Sequence, residues 1–73
     1  MKFDLVPIPK AKNLDRIGWS NGYVLVRFLG RPTQYILGPQ IPRETFDKLF
    51  TAMYPDRQFQ LTIKTKFQCK KLG

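Results

Sequence analysis

Asn21-Gly22, set between two runs rich in apolar and β-branched residues, constrains this chain more than any other feature. Both residues tolerate positive φ, which a two-residue type I′ turn demands at its two central positions, and the twist of that turn matches the twist of paired strands. The flanking segments Leu14–Ser20 and Tyr23–Leu29 are therefore expected to form an antiparallel hairpin. Within the second segment Val24, Val26 and Phe28 point to one face, and Tyr23, Leu25, Arg27 and Leu29 to the other. Both faces are largely apolar, which predicts a central strand.

Gly30-Arg31-Pro32 breaks this strand, and Thr33 to Leu37 supplies a third before Gly38-Pro39-Gln40-Ile41-Pro42 ends it. From Pro42 to Met53 the period changes. Phe46, Leu49, Phe50 and Met53 recur at helical spacing, proline suits a first helical turn, and Glu44 and Asp47 sit where the helix dipole favours acids. Pro55 is expected to close this helix. Beyond Asp56, Phe59, Leu61 and Ile63 alternate with Gln58, Gln60, Thr62 and Lys64, which predicts a fourth strand running on to Phe67.

The expected fold is α+β: a three-stranded antiparallel meander, one helix packed on the sheet, and a fourth strand. These elements form a single domain over residues 14–67. An extended N-terminal arm, residues 1–13, is held straight by Pro7 and Pro9, and a basic tail covers residues 68–73. A chain of 73 residues is long enough for one domain only. Its predicted core comprises Ile17, Val26, Phe28, Phe46, Leu49, Phe50, Phe59, Leu61 and Ile63.

Chemistry at neutral pH usually recruits histidine, and the chain has none. Its five acids are Asp4, Asp15, Glu44, Asp47 and Asp56, of which the one close pair, Glu44 and Asp47, belongs to a helix start. Cys69 has Lys66, Lys70 and Lys71 nearby but no base to activate it, and it has no partner for a disulfide. A structural zinc needs four Cys or His ligands, and the glycines stand singly, so neither a metal site nor a phosphate-binding loop is predicted. No enzyme, metal or cofactor is expected. With no apolar run of membrane length and no signal-peptide core, the expected setting is the cytoplasm, as a monomer away from any membrane.

Lysine and arginine number 13 against 5 acids, a formal charge of +8. A field of that sign attracts polyanions. Between Arg57 and Gly73 there is no acid, and Lys64, Lys66, Lys70 and Lys71 are expected to form a cationic ridge along the last strand and tail. Lysines at an edge strand also protect it from aggregation, so the ridge has a structural reading as well. Arg16 and Arg27 lie on the hairpin strands as rigid guanidinium forks. Trp19 and Tyr23 flank the hairpin turn and are the better candidates, ahead of Tyr35, for stacking on bases. Lys10 and Lys12 stand on the arm, which can dock in a partner's groove or cover its own core.

Asn13-Leu14 with Ile17-Gly18-Trp19, the run Leu25-Val26-Arg27-Phe28, Gly30, Tyr35, Ile41-Pro42 leading into Phe46, Leu49 and Ala52, and Ile63-Lys64 with Lys66-Phe67 together resemble the KTSC domain. That module is found alone in bacterial and phage proteins and at the end of some lysyl-tRNA synthetases. The family's central tyrosine pair stands here as Thr33 and Tyr35, and the loop from Ile36 to Gln40 is longer. The resemblance implies a small RNA-binding module. At whole-chain length and in basic balance, the sequence is also similar to small phage transcription regulators that bind the host's bacterial RNA polymerase. That resemblance implies inhibition of initiation and antitermination near the RNA exit channel, with contact to RNA or DNA backbone in the complex as a further expectation. The first expectation is thus a polymerase-binding regulator, and the second a nucleic-acid module.

Overall fold

A computed structural model describes residues 3–72 of the chain. Residues 1, 2 and 73, which belong to the expected arm and tail, lie outside the described residues. Five strands form one antiparallel sheet in sequence order: β1 (Val6–Pro7), β2 (Leu14–Ser20), β3 (Tyr23–Phe28), β4 (Gln34–Gly38) and β5 (Gln68–Leu72). Between β4 and β5 the chain forms helix α1 (Arg43–Thr51) and helix α2 (Pro55–Phe59), which runs on into a π-helical turn over Gln60–Lys64.

The hairpin forms as its turn chemistry dictates. Asn21 and Gly22 take φ of 50° and 85°, the left-handed values that a type I′ turn needs, and Ser20 pairs with Tyr23 across it. In the next pairs Trp19 faces Val24 and Ile17 faces Val26. β4 continues the meander, with Leu37 opposite Val24 and Tyr35 opposite Val26. Ile17, Val24, Val26 and Leu37 are almost fully buried and meet Phe46, Leu49, Phe59 and Ile63 from the helical layer.

The helical layer is pinned to the hairpin by backbone groups. Ile41 N–H donates to the Gly22 carbonyl at 2.9 Å, and its own carbonyl accepts from the Trp19 indole Nε1 at 2.7 Å. Pro42 then caps α1, with its carbonyl accepting from Thr45 N–H at 3.1 Å. The start of the sheet is anchored differently. Val6 and Pro7 pair with Ile17 and Arg16, Ile8 is buried, and Leu5 lies over Gly18, where any side chain would meet the Asp4 carbonyl and Leu5.

Three expectations are corrected. The predicted fourth strand through Phe59–Phe67 is helical up to Lys64, so the fold has two helices, and Pro55 opens α2 rather than closing α1. Phe59 and Ile63 are four apart and share a helical face as readily as a strand face; both are buried, while Leu61 between them is 55% exposed. Threonines favour the π geometry. Thr62 Oγ1 donates to the Gln58 carbonyl at 2.6 Å and Thr65 Oγ1 to the Leu61 carbonyl at 3.2 Å, back-bonds that loosen regular α-helix, and Thr65 N–H reaches back five residues to Gln60 at 3.1 Å.

The predicted tail is the strand that completes the sheet: Gln68–Leu72 pairs with β4, with Lys70 opposite Ile36 and Lys71 opposite Tyr35. The sheet thus has five strands, its meander extended at both edges. The open backbone edge of β4 supplies the reason, since its donors and acceptors need partners. The core is corrected as well. Leu61 leaves it, Phe28 and Phe50 are only partly buried against it, and Ile8, Leu14, Val24, Leu37 and Ile41 join it. α1 ends at Thr51, so Met53 is 75% exposed instead of lying on the helix's buried stripe.

The helical assignment is tested by two substitutions. Phe59→Ala should cost about 3–5 kcal/mol in urea unfolding and Leu61→Ala under about 0.5 kcal/mol. Equal losses at both sites would mean that residues 59–63 form a strand with all three side chains inside.

Candidate binding surface

Folding consumes most of the acids. Asp15 pairs with Arg27, whose Nε and Nη2 donate to one carboxylate oxygen at 2.9 and 2.6 Å. Asp47 accepts from Arg43 at 3.1 Å. Asp56, in the first turn of α2, accepts from the backbone N–H groups of Lys12 at 2.6 Å, Asn13 at 3.1 Å and Leu14 at 3.2 Å. Among the described residues Arg27 and Arg43 are the cations held in ion pairs. The other described lysines and arginines are exposed.

The expected site residues separate into three places. Cross-strand partners share a face, so the register puts Arg16, Tyr23, Arg27 and Lys70 on the sheet face away from the helices, together with Leu25 and Ile36. Arg16 and Arg27 are direct partners, a like-charge pair that the Asp15 contact to Arg27 relieves. Tyr23 lies over Gly38, which has no side chain in its way.

Trp19 points to the helical side. It is half-buried, its N–H is committed to Ile41, and the Arg43 guanidinium lies 5.5 Å from its ring centroid, within the range of a cation–π contact. Tyr35 is packed edge-on against Phe28 at 5.7 Å. Trp19 thus serves packing, while Tyr35 stays half-buried beside Phe28.

The expected ridge of Lys64, Lys66, Lys70 and Lys71 is not one feature. Lys64 ends the π-helical turn and Lys66 lies in the turn that follows, while Lys70 and Lys71 are on β5 and point to opposite faces of the sheet. A ridge requires one continuous strand, and the helical segment breaks it.

Lys10 and Lys12 do come together with other residues. With Asn13, Tyr54, Asp56 and Arg57 they line a shallow hollow where the arm crosses the start of α2. Tyr54 is 66% exposed and stands beside the equally prominent Met53 in the link between the helices. The result is a patch of exposed apolar side chains among three cations, with the Asp56 carboxylate turned to the arm's amides. Met53, Tyr54 and Arg57 were not legible as site residues, because the helical period puts Met53 on the stripe of Phe46, Leu49 and Phe50 and nothing in the pattern brings Tyr54 and Arg57 to the arm. Among the described residues no cluster of His, Cys, Asp or Glu is arranged to hold a metal ion, and no helix is long and apolar enough to cross a membrane.

No family model matches the chain, and no curated protein does. Among solved structures, the crystal structure of a KTSC domain protein from Yersinia pestis aligns with a TM-score of 0.81 at 24% identity, covering 99% of this chain and 100% of that one. The chain has a KTSC-like fold. The KTSC resemblance thus holds at the level of architecture over nearly the whole length. Nothing in these comparisons supports the second resemblance, to phage regulators of RNA polymerase. In this KTSC-like fold the arm enters as an edge strand and is then fastened to α2, so the patch is part of the folded body.

The fastening is tested at Asp56. Asp56→Ala should speed hydrogen exchange at the amides of Lys12, Asn13 and Leu14 about tenfold or more and cost about 1–3 kcal/mol, because three donors lose one acceptor group. Unchanged exchange at those three amides would show that Asp56 does not hold the arm.

Proposed function

We propose that this chain is a non-catalytic transcription regulator of the phage type, which binds bacterial RNA polymerase in the host cytoplasm. There it would inhibit initiation and promote antitermination near the RNA exit channel. One observation supports a protein partner over free nucleic acid. The hollow at the arm sets Tyr54 in solvent among Lys10, Lys12 and Arg57, with the exposed Met53 next to it in the chain. Exposed aromatic and methionine side chains beside arginine are the composition of protein-interface centres, and the surrounding lysines would steer approach to an acidic surface. Single-strand binders instead offer several open rings for bases, whereas Trp19 is taken up in packing. The choice of polymerase as the partner rests on the sequence's resemblance in length and basic balance to phage regulators.

A second reading, a KTSC-type module that binds RNA, is favoured by Arg16 and Lys70, which stand exposed on the sheet face away from the helices. Phosphate contacts from that face would need no aromatic platform.

The two readings separate in one experiment. The tagged chain should capture RNA polymerase from nuclease-treated bacterial lysate, and Tyr54→Ala with Lys10→Glu and Lys12→Glu should lower that affinity about tenfold or more. Arg16→Glu with Lys70→Glu should leave capture within about twofold. If no polymerase is captured and the chain binds bare RNA with a steep salt dependence that the Arg16 and Lys70 changes flatten, the RNA module is correct.

A further inference from the structure

The helical layer stops short of the last strand. On β5 the residues facing the helical side are Cys69, opposite Leu37, and Lys71, opposite Tyr35, and both are exposed although Leu37 is buried. The uncovered space is a cleft of about 450 Å³ between the β3–β4 face and the end of α2. That is within the range of small-molecule sites, about 300–1,000 Å³, which combine an apolar lining with a few placed polar groups.

Its floor is aromatic. Phe28 meets Tyr35 at 5.7 Å between centroids, edge-on and each half-buried, and it rests on the buried Phe59 at 6.2 Å, so the Phe28 and Tyr35 rings are the ones with surface left for a planar guest. Its rim is cationic. Arg31, from the β3–β4 turn, and Lys64, from the end of the π-helical turn, both line the cleft, and among the described residues neither is in an ion pair. The carboxylate of Asp56 also lines it, with its oxygens engaged by three backbone amides. Asn13 and Gln60 add side-chain amides, which carry both donors and acceptors.

We propose that this cleft binds a nucleoside monophosphate, either free or as the terminal nucleotide of an RNA. The base lies against the half-buried Phe28 and Tyr35 rings, the phosphate is held by Arg31 and Lys64, and the amides of Asn13 and Gln60 meet the edge of the base. An aromatic floor beside two unpaired cations suits a flat, uncharged ring carrying an anion. The pairing excludes a purely apolar guest, which would leave the rim unused, and a bare anion, which would leave the floor unused. The assignment is independent of the polymerase patch, which lies on the other side of the Asp56 anchor.

Cys69 is the chain's single cysteine, lines the cleft and is exposed, so it reports occupancy directly. Adenosine monophosphate should slow alkylation of Cys69 by N-ethylmaleimide about tenfold or more at saturation. Arg31→Gln with Lys64→Gln, at exposed positions outside the core, should raise the concentration needed about tenfold or more while leaving the circular dichroism unchanged. Adenosine and inorganic phosphate should each protect far more weakly.

Alkylation that adenosine monophosphate does not slow overturns the proposal, as does equal protection by inorganic phosphate alone. Protection by adenosine as strong as by the monophosphate removes the roles of Arg31 and Lys64. A 5′-phosphorylated RNA trinucleotide that protects at lower concentration than the mononucleotide identifies the RNA terminus as the source, and equal or weaker protection identifies the free nucleotide. The wild-type comparisons decide the matter even should the double variant fail to fold.

Discussion

The carboxylate of Asp56 joins two parts of the chain more than forty residues apart, and the geometry of both candidate sites depends on it. One side chain accepts from three successive amides at the entrance to β2, groups that have no ladder partner there. Its position in the first turn of α2 also places a negative charge where the helix favours one. The contact fixes where the arm ends and where the helical layer begins. It stands as a wall between the hollow under Lys10 and Lys12 and the cleft over Phe28 and Phe59.

A second fastening works at the opposite end of the sheet. The backbone of Ile41 is held on one side by the hairpin turn and on the other by the Trp19 indole. This aims α1 across the buried face of β2–β4, where Phe46 and Leu49 complete the core. Both fastenings use polar groups at the margin of the core, and no buried side-chain nitrogen or oxygen among the described residues lacks a partner. In so small a domain, where each unpaired buried group costs a sizeable share of the stability, that completeness matters.

Charge is distributed by the same logic. With only five acids, three of them engaged in internal contacts, the fold leaves exposed cations at the arm, the cleft and the outer sheet face rather than in one stripe. Electrostatic attraction is therefore general, and selectivity rests on what stands beside the cations: Tyr54 and Met53 at the arm, Leu25 and Ile36 on the sheet face, and the aromatic floor of the cleft. The three surfaces share a sign of charge and differ in shape.

The hairpin at Asn21-Gly22, the burial of Ile17 and Val26, the helix from Arg43 and the excess of positive charge were legible in the sequence, because each depends on neighbours within a few residues. The segment from Pro55 to Leu72 was not. Phe59 and Ile63 satisfy a strand and a helix equally, and the choice fell to packing: the helical form buries both on the sheet and leaves Leu61 outside. That choice carried Lys64 away from Lys70, gave the edge of β4 to Gln68–Leu72, and opened the cleft. The sequence by itself determined the turn, the meander and the charge; the tertiary structure alone decided which cations share a surface, since residues four apart have one periodicity on two backbones and only contact with the rest of the chain distinguishes them.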